Sequence, residues 1–559
     1  MSRQIITVLF FLQIFNFISG NSPEVEILQG KLQGKTLISR DGRPFSAFLG
    51  VPYAQARRFQ PPTMAVSWEG TLLATEYKAQ CAQSMWISNE NVGEENCLHL
   101  QVFSPDLTAN LPVMVYFHGG GFTIGSSNIL GPQYFMDEDV VLVLVNYRLG
   151  PFGFLSMQDE ILPGNNGLKD QNMALIWVQD NIKKFGGNPD SVTLFGNSAG
   201  GASANFHIVS PQSAGLFHAA IPQSGSSLNP WAMSRNPKEM AHRLGKGLGC
   251  PTQTSNHLLK CLLTKKTEEI LDAMNPLIQW GYDPFTPFGA VIEPKIPGAF
   301  ISEEPEYTMQ TGGFNRVPVL TGVTEDEGLL MHSAYVFNDP QLLADINENW
   351  KRVLPVTLEY DEFYTNFTRH HRLEVSMKIR KYYFQERHVS PATMQQLTNV
   401  YSDRFFNHGV RKGALAMAQF VPVYMYIFAH NRGDYSILRF FGIEKVLGVS
   451  HADELSFQFA NSFGLAPDFV KGSTGEKVSK SFIKLWVSFA DNKVPTAKWG
   501  KQQEWPAISY DEVVGKKKLQ YYRIDEECKL IDEPFTERIE FWEATLEAAK
   551  HGGHYKDEL

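Results

Sequence analysis

Ser198 lies within TLFGNSAGGAS, Thr193 to Ser203, with Gly196 two residues before it and Gly200 two residues after it. A serine hydroxyl is a weak nucleophile at neutral pH. It needs a base, a group that orients the base, and donors for an oxyanion. The G-x-S-x-G spacing is that of a nucleophile elbow, a strained strand-to-helix turn that leaves the hydroxyl at the top of a sheet. The flanking positions must be small, because side chains there would collide inside the turn. The donors are in YFHGGGF, which sets Gly119, Gly120 and Gly121 together after an apolar run. Consecutive glycines let backbone N–H groups turn toward a substrate carbonyl oxygen. The amide of Ala199, directly after the serine, adds another. The chemistry these residues can do is nucleophilic attack on a carbonyl.

The elements that must position them are legible in the apolar pattern. LPVMVYF, Leu111 to Phe117, leads into the glycines, and VVLVLVNY, Val140 to Tyr147, is apolar throughout. Such runs fit strands buried on both faces. LKDQNMALIWVQDNIKKFGGNP predicts a helix from about Leu168, stopped by Gly186 and Gly187. SVTLFG is a short strand before the serine, and ASANFHIVS after it is compatible with a helix. Val317–Val323 and Val421–Phe428 read as further strands. Strands alternating with helices predict an α/β fold: a large, mostly parallel central sheet with helices on both faces. No internal repeat, low-complexity block or linker divides the chain, so residues 21–555 are taken as one domain.

Composition bounds the partners. The 559 residues are 43% hydrophobic and 19% charged, enough to build a large core. A net charge of −9 with no basic run argues against nucleic acid or an anionic membrane surface as partner. MSRQIITVLFFLQIFNFISG has a basic start, an apolar run shorter than a membrane span and small residues at its end. It is expected to be a cleaved signal peptide over residues 1–20. No later stretch is apolar enough to span a bilayer. The last four residues, Lys556 to Leu559, spell KDEL. Together the two ends predict residence in the endoplasmic reticulum lumen through the KDEL receptor. That compartment permits disulfides. Of five cysteines, Cys81 and Cys97 lie close in sequence, as do Cys250 and Cys261, which leaves Cys528 over. Sequence alone does not fix that connectivity. Asn366-Phe367-Thr368 is the one glycosylation sequon.

YFHGGGF, NYRLGPFGFL, GNNGLKDQNMALIWV and FGGNPDSVTLFGNSAGG, in that order, resemble the type-B carboxylesterase and cholinesterase family. The resemblance runs across almost the whole chain and rests on several ordered motifs. It implies the α/β-hydrolase fold, with triad order serine, acid, histidine. The family's acid lies in a D-E-G segment after a strand, here GVTEDEGLL. Spacing does not choose among Glu325, Asp326 and Glu327, and the resemblance assigns Glu327. The family's base lies in a G-x-x-H segment, here GVSHADELSF, which gives His451 among 15 histidines. Imidazole suits the role, since its ordinary pKa lets it take and return the serine proton. The resemblance also supports the pairs Cys81–Cys97 and Cys250–Cys261. ENCLHL carries Asn96 where the family usually has aspartate, near the bridge and away from the chemistry. The implied reaction is two-step ester hydrolysis by Ser198, Glu327 and His451. The amides of Gly120, Gly121 and Ala199 form the oxyanion hole, and neither cofactor nor metal is required.

Three readings compete for the substrate. Trp86 resembles the tryptophan with which cholinesterases bind quaternary ammonium. However, Asn197 stands where those enzymes carry an acid before the nucleophile, and GLLMH after Glu327 is aliphatic where they are aromatic. Trp86 is therefore read as an ordinary aromatic of pocket or core. A general carboxylesterase, or an esterase for a lipid-like ester such as a juvenile hormone, fits better. Phe285 and Phe288 are candidates for the acyl side of the pocket, with packing as the alternative. The rival class is a non-catalytic binding or scaffold protein of the same fold, whose mark is a broken triad, and here the triad is intact. Oligomeric state and the acyl and alcohol preference are not legible.

Overall fold

The valine-rich runs become the centre of one eleven-stranded sheet in the computed structural model. The structure describes residues 22–85, 90–330, 332–361, 367–496 and 504–551. The sheet begins with β1 (Lys35–Ile38), β2 (Pro44–Pro52) and β3 (His99–Ser104). Its middle is β4 (Leu111–Phe117), β5 (Val141–Val145), β6 (Gly187–Asn197), β7 (Ala219–Gln223) and β8 (Val319–Thr324). It ends with β9 (Val423–Phe428), β10 (Gln520–Ile524) and β11 (Lys529–Asp532). The spatial order is β1-β2-β3-β5-β4-β6-β7-β8-β9-β10-β11. From β5 to β10 every neighbouring pair is parallel, and the flanking pairs are antiparallel.

Burial on both faces explains the continuous apolar runs. Successive side chains of a strand point to opposite faces. Val113, Val115 and Phe117 of β4 accordingly join one core cluster, while Met114 and Tyr116 join another. On the first face lie α1 (Asn166–Asn181), through Leu168, Leu175 and Trp177, and α2 (Ala199–Val209), through Phe206. α3 (Trp350–Thr357) joins the same core cluster through Trp350, Val353 and Leu354. The second face is covered by α4 (Thr474–Asn492), whose Phe482, Trp486 and Phe489 pack there. Among the described residues no helix is long and apolar enough to cross a membrane.

One boundary differs from the sequence reading. α1 ends at Asn181, before the two glycines, and a short 3₁₀ turn, Ile182–Phe185, follows. Gly186 takes the left-handed conformation after it (φ 78°), while Gly187 already opens β6 and pairs with Leu111. A Cβ at Gly187 would lie 2.8 Å from side-chain carbons of both Ile182 and Val113. The second glycine is thus required by close packing at the strand start rather than by the helix stop.

Residues 1–21, which include the expected signal peptide over 1–20, Trp86, Asn366 and the terminal KDEL lie outside the described residues. Cys81–Cys97 and Cys250–Cys261 are disulfide-bonded, and Cys528 is a free, buried thiol pushed up to about 12 by its burial.

Candidate active site

The turn between β6 and α2 places Ser198. Its backbone has φ 60° and ψ −124°, a conformation costly for a residue with a side chain and held here by its surroundings. The Ser198 amide donates to Gln223 O on neighbouring β7 at 2.9 Å, and Ala202 N donates back to Ser198 O at 2.8 Å. The small-residue requirement can be read off distances. A Cβ at Gly200 would sit 1.9 Å from Phe117 O, and one at Gly196 would sit 2.6 Å from the carbonyl atoms of Gly200. A Cβ at Gly201 would meet Gln223 O at 2.5 Å. Any side chain at these positions would force β4, β6 and α2 apart.

The loop after β4 lies beside the serine. A Cβ on Gly119 would come within 3.1 Å of Ser198 Cβ. Gly120 and Gly121 both have positive φ, 107° and 59°. Their carbonyls are tied back into the loop: Gly120 O accepts from the amides of Thr123 and Ile124, and Gly121 O from Thr123 Oγ1. Ala199 is the first residue of α2, so its N–H has no acceptor within the helix. Gly121 backs onto Phe285, whose ring carbon would lie 2.3 Å from a Cβ there. His118, buried and stacked on Tyr147 at 4.4 Å, anchors the loop; desolvation pulls its pKa down to about 4.

The three acidic candidates after β8 go three ways. Glu325 reaches the surface and pairs with Arg523. Asp326 accepts from Val449 N and Gln395 Nε2. Glu327 is fully buried, and its Oε2 accepts from His451 Nδ1 at 2.5 Å. Its other oxygen accepts from Thr324 N at 2.7 Å and Ser224 Oγ at 2.5 Å. With Nδ1 held by the carboxylate, Nε2 is the ring nitrogen left for the serine. The Phe406 ring lies 4.4 Å from the His451 imidazole.

Ser198, His451, Gly119 and Gly120 line one cavity of about 360 Å³. Its walls are chiefly apolar, among them Phe285, Phe405, Phe406, Phe440 and Leu330. Phe288 instead packs in the core. Among the described residues no cluster of His, Cys, Asp or Glu is arranged to hold a metal ion.

Two participants escaped the sequence reading. Ser224, at φ 49°, holds Glu327 from the end of β7. Asn197, which lines the cavity, donates its side-chain amide to buried Glu454 at 2.7 Å. Glu454 is in the quoted HADEL segment, but no spacing rule links it to a residue 257 positions away.

With this geometry in view, the comparisons with known proteins are concordant. A model of the carboxylesterase family matches residues 21–542. The chain is similar to venom carboxylesterase-6 of Apis mellifera, 35% identical over 510 residues that cover 89% of each chain. It is similar to a carboxylic ester hydrolase of Bombus ignitus, 34% identical over 549 residues, 94% of this chain and 95% of the relative. To juvenile hormone esterase of Tribolium castaneum it is 32% identical over 524 residues, covering 89% and 87%.

Proposed function

Because the chain belongs to the carboxylesterase family and is a carboxylic ester hydrolase, we propose that it cleaves apolar esters through an acyl-enzyme on Ser198. Ser198 Oγ attacks the ester carbonyl carbon while His451 Nε2 takes its proton. Glu327 holds the imidazole by Nδ1 and stabilises the imidazolium. The N–H groups of Gly120, Gly121 and Ala199 receive the oxyanion. Each such donor is worth about 10²–10³ in rate. The C–O bond then breaks, and the alcohol leaves with the proton from His451. Water, deprotonated by the same imidazole, attacks the acyl group and frees Ser198.

The observation that carries this reading is the buried Glu327–His451 pair opening onto the same cavity as the strained Ser198. The apolar walls favour acyl and alcohol groups without charge. Asn197 and the aliphatic segment after Glu327 speak against choline esters. The site of action proposed is the endoplasmic reticulum lumen, on the strength of the N-terminal apolar run and the C-terminal KDEL.

The test is hydrolysis of p-nitrophenyl acetate and butyrate by purified protein beside Ser198→Ala. The wild type is expected to turn both over and the variant to lose about 10⁵–10⁶ in kcat. Turnover that survives in Ser198→Ala would remove the serine from the mechanism.

A further inference from the structure

The wall of the cavity is chiefly apolar, and its polar residues include Gln80, Gln83, Glu90, Ser126 and, at one place, a buried carboxyl. Glu359 lines it there, two residues beyond the end of α3 and only 2% exposed. Its Oε2 is buried without any hydrogen-bond partner. The nearby cation does not satisfy it: Arg404 donates through Nε to Leu358 O at 2.9 Å and through Nη2 to the backbone oxygen of Glu359 at 3.1 Å. A carboxyl oxygen left without a hydrogen bond in a protein interior costs free energy, because it has lost water and gained no donor in its place. Positions of that kind call for an explanation, and a group on a cavity wall has an obvious one.

A further polar side chain shares this wall. His332 lines the same cavity, stacks on Tyr401 at 4.1 Å, and sets Nε2 3.4 Å from the buried carboxylate of Asp283. The position of this corner relative to the reaction follows from a chain of rings. The Phe406 ring touches the His451 imidazole, Phe405 is 6.4 Å beyond it, and His332 is 4.8 Å beyond Phe405. Arg404, which holds the backbone of Glu359, immediately precedes Phe405 in the chain. Two phenylalanine rings thus lead from the His451 imidazole to His332.

We infer that Glu359, with His332 beside it, forms a polar subsite that takes a neutral oxygen function, a hydroxyl, ether or carbonyl, at the far end of an otherwise apolar ester. The inference rests on the esterase reading above. A neutral partner is favoured over a cation because burial, reinforced by the carboxylates of Asp283 and Asp361, pushes the Glu359 carboxyl well above its usual range, while Arg404 opposes. The protonated acid donates its O–H to a substrate oxygen. With His332 set off from His451 by the Phe406–Phe405 chain of rings, the subsite acts as a length gauge: an oxygen too near the ester carbonyl does not reach it.

The experiment compares kcat/KM for p-nitrophenyl esters from butyrate to decanoate with partners whose terminal methyl is replaced by hydroxyl, methoxy or ammonium. Wild type, Glu359→Gln and Glu359→Leu are measured. Each preference is a ratio within one enzyme, so it does not depend on the fraction folded. At one chain length the wild type is expected to favour the hydroxyl or methoxy ester over the alkyl ester by about tenfold, the effect of one well-placed buried hydrogen bond. Glu359→Leu is expected to reverse that preference, and Glu359→Gln, which still donates, to keep it. A flat ratio at all lengths in the wild type, or an unchanged ratio in Glu359→Leu, overturns the subsite. Preference for ammonium overturns the neutral ligand in favour of a cation site. If Glu359→Leu does not fold, Glu359→Met, similar in length and without a donor, takes its place with the same loss of preference expected, and a flat wild-type series overturns the subsite by itself. Failure of every ester, alkyl ones included, would instead sink the esterase reading on which the subsite depends.

Discussion

Asn197 immediately precedes Ser198, and its amide ties down Glu454, a buried carboxyl three residues after His451. Glu454 Oε1 also accepts from Gln223 Nε2 at 3.3 Å, whereas Oε2 has no partner. Burial pushes the Glu454 pKa up to about 7, and the Glu327 carboxylate adds to this while His451 opposes it. The native state therefore keeps a proton that the unfolded chain releases near its ordinary value of 4.5. Stability is lost as pH rises between those two values, because the native state binds more protons across that window. Relative to Glu454→Gln, wild-type stability is expected to fall by about 3 kcal/mol from below pH ~4.5 to above pH ~7. Urea melts across that range check it, and curves that stay parallel would show that Glu454 is ionised in the native protein. Asp453 is raised in the same way, by burial first, and Glu454 adds to it, so the comparison reads Glu454 together with its effect on Asp453. At the residue scale, motif order makes Ser198, Glu327 and His451 legible. Ser224 and Glu454 are not, since their contacts are made across 103 and 257 positions by the packing of β7 and the histidine loop.

The elbow is where element geometry and chemistry meet. Gly200→Ala would thrust a methyl to 1.9 Å from Phe117 O, which is backbone and cannot rotate away. The expected cost is about 3–5 kcal/mol, with loss of activity as Ser198 is displaced. Gly247→Ala is the control: its nearest neighbour, the Ala273 side chain, would be 3.8 Å away, so stability should change by no more than about 1 kcal/mol. Thermal melts distinguish them, and equal behaviour of the two variants would count against the steric account of the turn. The core strands are legible because burial on both faces leaves unbroken apolar runs, as in Val141–Val145. The antiparallel edge strands are harder: Lys35–Ile38 and Lys529–Asp532 mix charged and apolar residues, and only their pairing defines them. The Gly186-Gly187 pair is misread for a related reason, since its second member answers to a tertiary neighbour that no local pattern contains.

At the scale of the whole molecule, one sheet brings the turns after β6 and β8 and the loop beyond β9 to a single end, which is why the proposed triad, spread from residue 198 to 451, can be read from chain order. The cavity wall cannot be read that way. It gathers Phe285, His332, Glu359 and Phe405 from segments with no shared motif, so substrate preference stays hidden in the sequence while reaction type does not. The proposed lumenal address belongs to this scale too. Deleting residues 556–559 is expected to send the protein into the medium, and unchanged retention of the truncated chain would mean that KDEL is not what holds it. The central claim is that Ser198 is the nucleophile of an assembled triad, and the most direct measurement is covalent capture. Purified protein is treated with a fluorophosphonate and the labelled peptide identified by mass. The account predicts one adduct, on Ser198, formed far more slowly in His451→Ala and accompanied by loss of ester hydrolysis. An adduct elsewhere, or hydrolysis that persists once Ser198 is capped, would contradict it.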